Sequence, residues 1–192
     1  MIITTNLKKL VSRKIILTIT MSVAIAIASI VMTTTTTVWQ QIPQEATAAS
    51  MEQIKASREI SAPVDKVWKI VSDVDNEPKY WSQVKSVKNI NKTDNNIIER
   101  EVIVTAGPQD AKTHQFVTVK PEQMIIQTNI TQGPVTGSKV LTLSPSSENK
   151  TKIDVVWDID LSGIPIFARG FAKDNFMKTT EEALNRIAQA VQ

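Results

Sequence analysis

Few side chains in this 192-residue chain are equipped for chemistry. Cysteine is absent, which excludes disulfides, thiol nucleophiles and thiolate metal sites. His114 is the single histidine, and no His-Glu-x-x-His, Gly-x-Ser-x-Gly or phosphate-cradling glycine loop accompanies it. It reads as a structural or surface residue. Asp154, Asp158 and Asp160 resemble a cation cluster by type, but their even spacing puts them on the wet face of a strand. No metal and no cofactor are expected. Arg100 offers more. In Glu99-Arg100-Glu101-Val102-Ile103-Val104 it shares a side with Ile98, Val102 and Val104. If that side is concave, a guanidinium points into an apolar interior and holds a ligand's oxygen. Two placements compete with this: an arginine snorkelling to water from the strand end, or the opposite register. Gln115, on the Val117 and Val119 side of the next strand, is a second polar candidate. For proton transfer only Tyr80, His114 and Arg100 qualify, and none has a partner recognisable in the sequence.

Positioning such residues requires a sheet and a helix. Residues 53–60 alternate as a first strand, and Ser61-Ala62-Pro63 stops it. A short helix over 64–73 follows, with Val64, Val67, Trp68 and Val71 on its apolar face. Asp75-Asn76-Glu77-Pro78 breaks the chain, and 79–84 forms another helical turn carrying Tyr80 and Trp81. Six strand patterns then run through 84–90, 97–106, 112–120, 124–131, 138–143 and 152–161, separated by turn signals as in an antiparallel meander. The last strand turns Ile153, Val155, Trp157, Ile159 and Leu161 one way. Residues 164–191 form a long amphipathic helix with Pro165 in its first turn. Met177, Thr180, Leu184, Ile187, Ala188 and Val191 make its stripe. Phe167 and Phe171 are out of phase with that stripe, and Gly170 between them predicts a kink or a short preceding helix. The fold class expected is α+β: a seven-stranded antiparallel sheet with one buried face, covered by the closing helix.

Particular residues resemble the START-like, helix-grip superfamily, also called SRPBCC. They are Glu59-Ile60-Ser61-Ala62-Pro63-Val64-Asp65-Lys66-Val67-Trp68, Val71-Ser72-Asp73, Pro78-Lys79-Tyr80-Trp81 and Val84-Lys85-Ser86-Val87. Trp157 and the Ile164-Pro165 helix start fit as well. The resemblance spans 51–192 and points to the polyketide cyclase/dehydrase-like or coenzyme-Q-binding-like branch. It implies a curved sheet gripping the last helix around an apolar cavity. The plant branch carries a glycine-rich loop between strands two and three; here 92–96 lacks glycine, which argues against plant-hormone-type binding. With the cavity implied, Trp157, Phe167, Phe171 and Met177 become lining candidates, the two phenylalanines as its mouth. Trp81 and Tyr80 join Arg100, Val102 and Gln115 in the candidate ligand set, although Trp81, Trp68 and Val67 read first as core.

The first fifty residues lie outside that pattern. Lys8, Lys9, Arg13 and Lys14 precede residues 15–32, eighteen residues without a charge. As a helix these span about 27 Å, close to a bilayer's hydrocarbon core. The basic tail 1–14 predicts a cytoplasmic N-terminus and an extracytoplasmic domain. A membrane anchor is the preferred reading. A signal peptide cut after Ala46-Thr47-Ala48 is the alternative, and a start at Met51 the third. Residues 33–50 form a Thr-rich linker. The net charge of +3 sits wholly in this part, since residues 51–192 hold eighteen basic and eighteen acidic side chains. Nucleic acid is therefore not an expected partner.

The function expected is membrane-tethered binding of a hydrophobic small molecule, of lipid or isoprenoid type, without catalysis. A polyketide cyclase/aromatase-like enzyme and a stress-related protein-interaction domain are the alternatives.

Overall fold

The computed structural model describes residues 51–93 and 96–192. The expected tail (1–14), apolar span (15–32) and linker (33–50) lie outside them. No helix among the described residues is long and apolar enough to cross a membrane. Among the described residues seven antiparallel strands form one sheet: β1 (Met51–Ile60), β2 (Val84–Lys92), β3 (Ile97–Ala106), β4 (Gln109–Lys120), β5 (Ile125–Gln132), β6 (Thr136–Ser147) and β7 (Lys150–Asp160). Their order is β1-β7-β6-β5-β4-β3-β2, so only the β1–β7 pairing is non-sequential. Register shifts in β2, in the β4–β5 pair and at Pro145 are bulges of the kind that bend a sheet.

Helix α1 (Val64–Val71) follows β1. Its start is fixed where the Thr151 hydroxyl donates to the Ala62 carbonyl at 2.7 Å. The expected break at Asp75 to Pro78 is instead an ordered 3-10 helix, Val74–Lys79. Proline fits there because its missing N–H lies where this short turn does not use one: Asn76 donates to Asp73, and Tyr80 to Glu77. The helical turn expected over 79–84 is thus shifted one segment earlier.

Helix α2 (Ile166–Ala190) closes the chain, with Pro165 as its N-cap rather than within its first turn. Thr180, Ala183, Leu184, Ile187 and Ala188 are its buried residues, joined by Val191 just past its end, and they recur mostly at three- and four-residue steps. Each large aliphatic among them contributes about 1.5–3 kcal/mol by leaving water. Opposite them lie Ile153, Val155, Trp157 and Ile159 of β7, buried in strict alternation with exposed or half-exposed residues. The Trp157 indole N–H donates to the Thr180 hydroxyl at 3.0 Å, pinning helix to sheet.

The first turns of α2 differ from the expectation. The helix runs unbroken through Gly170, where an added Cβ would meet nothing within 4 Å. Phe167 is 88% exposed and Phe171 77% exposed. The short preceding helix is absent, since one helix spans the whole stretch, and the reading of these phenylalanines as a cavity mouth is corrected. A regular helix keeps both on the side turned away from the sheet.

Candidate functional site

Alternation along β3 settles the position of Arg100. Ile98, Arg100 and Val102 are buried, while Glu99, Glu101 and Ile103 are less so. Arg100 faces the interior and is only 1% exposed. It pairs across the sheet with Gln115 of β4, whose side-chain oxygen accepts from Arg100 Nε at 3.2 Å and Nη2 at 3.0 Å. The Gln115 amide in turn donates to the Thr113 hydroxyl at 3.0 Å, and Thr113 donates to the Val102 carbonyl. That chain of bonds fixes the guanidinium plane. Its outer nitrogens reach the 3-10 segment: Nη1 donates to the Val74 carbonyl at 3.1 Å, and Nη2 pairs with the Glu77 carboxylate.

The other Glu77 oxygen binds Lys139 Nζ, which arrives from β6. Lys139 stands in a row of directly paired residues, Thr128, Lys139, Trp157 and Ile54, that crosses β5, β6, β7 and β1. Its ammonium lies 4.1 Å from the ring centre of Trp81 and 5.3 Å from that of Trp157, an electrostatically favourable seat on two aromatic faces. Trp81 and Trp157 meet edge to face at 5.8 Å, and Trp157 meets Phe176 the same way at 5.3 Å.

One carboxylate thus bridges two cations, and the group carries one net positive charge inside an apolar interior. Burial alone would raise the Glu77 pKa, but the Arg100 and Lys139 charges and their hydrogen bonds outweigh it and hold it down to about 2. Burial pushes the Lys139 pKa down, with Glu77 opposing that shift. Glu77 is therefore a carboxylate at neutral pH, and Lys139 is more easily deprotonated than a surface lysine.

Free space around the cluster is small. A cavity of about 20 Å³ is lined by Glu77, Tyr80, Trp81, Arg100, Lys139 and Ile187 among others, room for about one water molecule. Beyond Asp73 and Val74, which border both, a more open hollow of about 290 Å³ is lined by Asp75, Lys92, Asn96, Ile98, Val119 and others. Ligand sites run from about 300 Å³ upward. The expected roomy cavity between sheet and helix is therefore closed in this structure, and the wall between the two spaces is the start of the 3-10 segment.

Of the residues singled out in the sequence, Arg100, Tyr80 and Trp81 line the closed cavity. Gln115 lies behind Arg100 and holds it, and Val102 is fully buried one step along β3. Trp157 is part of the seat of Lys139, and Met177 is half-buried against the core. Phe167 and Phe171 line neither space. His114 lies on the outer face, between Glu99 (2.9 Å) and the Thr131 hydroxyl (3.0 Å). Among the described residues no group of three metal-ligating side chains occurs.

Glu77 and Lys139 were not anticipated. Lys139 had a signal: it shares its side of β6 with Leu141 and Leu143, the same pattern that marked Arg100. Glu77 had none, since Asp-Asn-Glu-Pro is ordinary turn composition. Arg100 also has the partners that the sequence did not reveal.

A model of the family described as polyketide cyclase/dehydrase and lipid transport matches residues 51–192. Among solved structures with this fold, one is a protein of Thermus thermophilus at 17% identity. Its TM-score is 0.64, over 73% of this chain and 97% of that one. The Zhui aromatase/cyclase of a Streptomyces species has 13% identity and TM-score 0.66, over 73% and 93%. A START superfamily protein of Mycobacterium smegmatis has 18% identity and TM-score 0.55, over 72% and 93%. At such identities the likeness is one of fold. No curated protein matches the chain.

Proposed function

We propose a function from one premise: the chain belongs to the polyketide cyclase/dehydrase and lipid transport family, with the START-like, SRPBCC fold. Its domain binds a hydrophobic small molecule of lipid or isoprenoid type between the 74–79 segment, the inner face of the sheet and α2. One observation carries this reading. A charged cluster, Glu77, Arg100 and Lys139, is sealed within apolar walls next to an open hollow. A core selected for stability alone gains little from such a group, because its desolvation offsets its attraction. Near a ligand the same charges orient a polar head, while the tail binds by desolvation at about 0.8 kcal/mol per buried CH₂.

The uncharged run 15–32 after four basic residues supports a membrane tether, with the domain on the extracytoplasmic side. Protease protection with a C-terminal tag tests this: digestion in intact spheroplasts is expected, and digestion only after lysis contradicts it. For binding, the protein is extracted as purified and again after incubation with membrane lipids, and the extracts are compared by mass spectrometry. A retained apolar species is expected; an empty protein after both steps refutes the reading.

A second reading, a polyketide cyclase-like enzyme, is favoured by the juxtaposition of Glu77, Lys139 and Tyr80 in one cavity. Substitution of Tyr80 or Lys139 that keeps ligand binding but abolishes turnover would select it.

A further inference from the structure

We propose that Glu77 stands in for the acid group of the ligand. The site takes an amphiphile with a carboxylate head, which replaces Glu77 on Arg100 and Lys139 as the 74–79 segment lifts. This rests on the binding reading above and names its ligand class.

The two cations belong to the rigid part of the molecule. Arg100 sits on β3 with its guanidinium held by Gln115, and Lys139 sits on β6 between two indole faces. Their partner belongs to the other kind of structure. Glu77 and the Val74 carbonyl lie on a six-residue 3-10 helix, a short element of poorer hydrogen-bond geometry whose one buried residue is Val74. Outside the cluster, the side-chain bond recorded from this segment to the sheet joins Asp75 to Asn89 at 2.9 Å, and it is exposed. The same segment walls off the small cavity from the open hollow, since Asp73 and Val74 border both. Lifting it joins the two spaces and brings the combined room into the range of a ligand site. Ile98 and Val119 on one side, and Ile126 and Leu141 on the other, then form an apolar track leading from solvent to the cations.

Charge decides which head group fits. When Glu77 leaves with its segment, Arg100 and Lys139 remain as two buried positive charges. A neutral head leaves both uncompensated, which is strongly unfavourable, whereas a carboxylate restores the bridging arrangement with two oxygens for two cations. The closed form is therefore an internally satisfied state, and the exchange is carboxylate for carboxylate with no proton or covalent bond changing hands.

Palmitate and hexadecanol, equal in chain length and differing in charge, test this with the full chain in phosphatidylcholine nanodiscs, counted above uptake by empty nanodiscs. Palmitate is expected to bind at least about tenfold more tightly than hexadecanol, the factor that one charge-assisted hydrogen bond supplies. Glu77→Gln, which removes the internal competitor, is expected to tighten palmitate further. Lys139→Gln is expected to shrink the preference, because Arg100 alone then meets the carboxylate, and this arm decides the question even if Glu77→Gln fails to fold. Equal binding of both probes by the wild type, or a preference that Lys139→Gln leaves unchanged, overturns the inference while leaving apolar binding intact. Binding of neither probe by the wild type or Glu77→Gln overturns the binding reading as well.

Discussion

The two faces of the sheet carry the same kinds of ion pair and use them differently. On the outer face Lys112 meets Glu101 at 3.2 Å and Lys150 meets Glu59 at 2.8 Å, with the side chains a third or more exposed. On the inner face Glu77 meets Arg100 and Lys139 with hardly any solvent. Water and salt screen the first group, so each pair stabilises little. The second group has lost its water, and the loss of Glu77 leaves two buried cations without compensation. Surface pairs therefore decorate this fold, whereas the interior cluster ties the 74–79 segment to the sheet in its closed position.

Breaking the inner cluster should have the largest effect. Arg100→Ala is expected to cost about 3–5 kcal/mol, because it empties a buried site and strips Gln115, Glu77 and the Val74 carbonyl of a donor, read as a lowered urea midpoint. Acid should undo the cluster next. The folded pKa of Glu77, about 2, lies below its ordinary value of 4.5. Its contribution is therefore complete above about pH 4.5 and is lost as pH falls toward 2, about 3 kcal/mol in all. The stability difference between wild type and Glu77→Gln should shrink across that window; a difference independent of pH would show that the carboxylate is not what matters. A smaller effect is expected at the exposed start of α2. Gly170→Ala should stabilise the protein by about 0.5–1 kcal/mol, because the position is helical and open. Destabilisation there would mean that the helix needs the glycine after all. The outer face should respond least: Lys112→Ala is expected to change stability by less than about 1 kcal/mol and to lose even that at high salt.

The same contrast explains what was legible in the sequence. Strand alternation and helical spacing are local, so β3 was read to the residue, and the α2 stripe from Thr180 to Val191 was correct apart from Ala183. Arg100 stood out because a charge among aliphatics violates its own strand's pattern. Glu77 violates no local pattern. It becomes interior only because the 3-10 segment folds over β3 and β6, a long-range event that Asp-Asn-Glu-Pro does not encode visibly. The phenylalanines of α2 misled for the opposite reason. An apolar residue out of phase with its helix suggests a second buried surface, but packing simply leaves Phe167 and Phe171 in solvent. Room for a ligand was inferred from the resemblance, and it is closed here because side chains and a salt-bridged segment fill it.

The central claim is that this segment is the movable wall of a binding site and not a fixed part of the core. Amide hydrogen exchange, followed in the full chain before and after loading with membrane lipids, tests it most directly. The amides of Asn76, Tyr80 and Trp81, bonded within the segment to Asp73 and Glu77, should change their protection on loading, while those of β6 and β7 stay constant. Unchanged protection across 74–81 in a protein that demonstrably holds lipid would contradict the account.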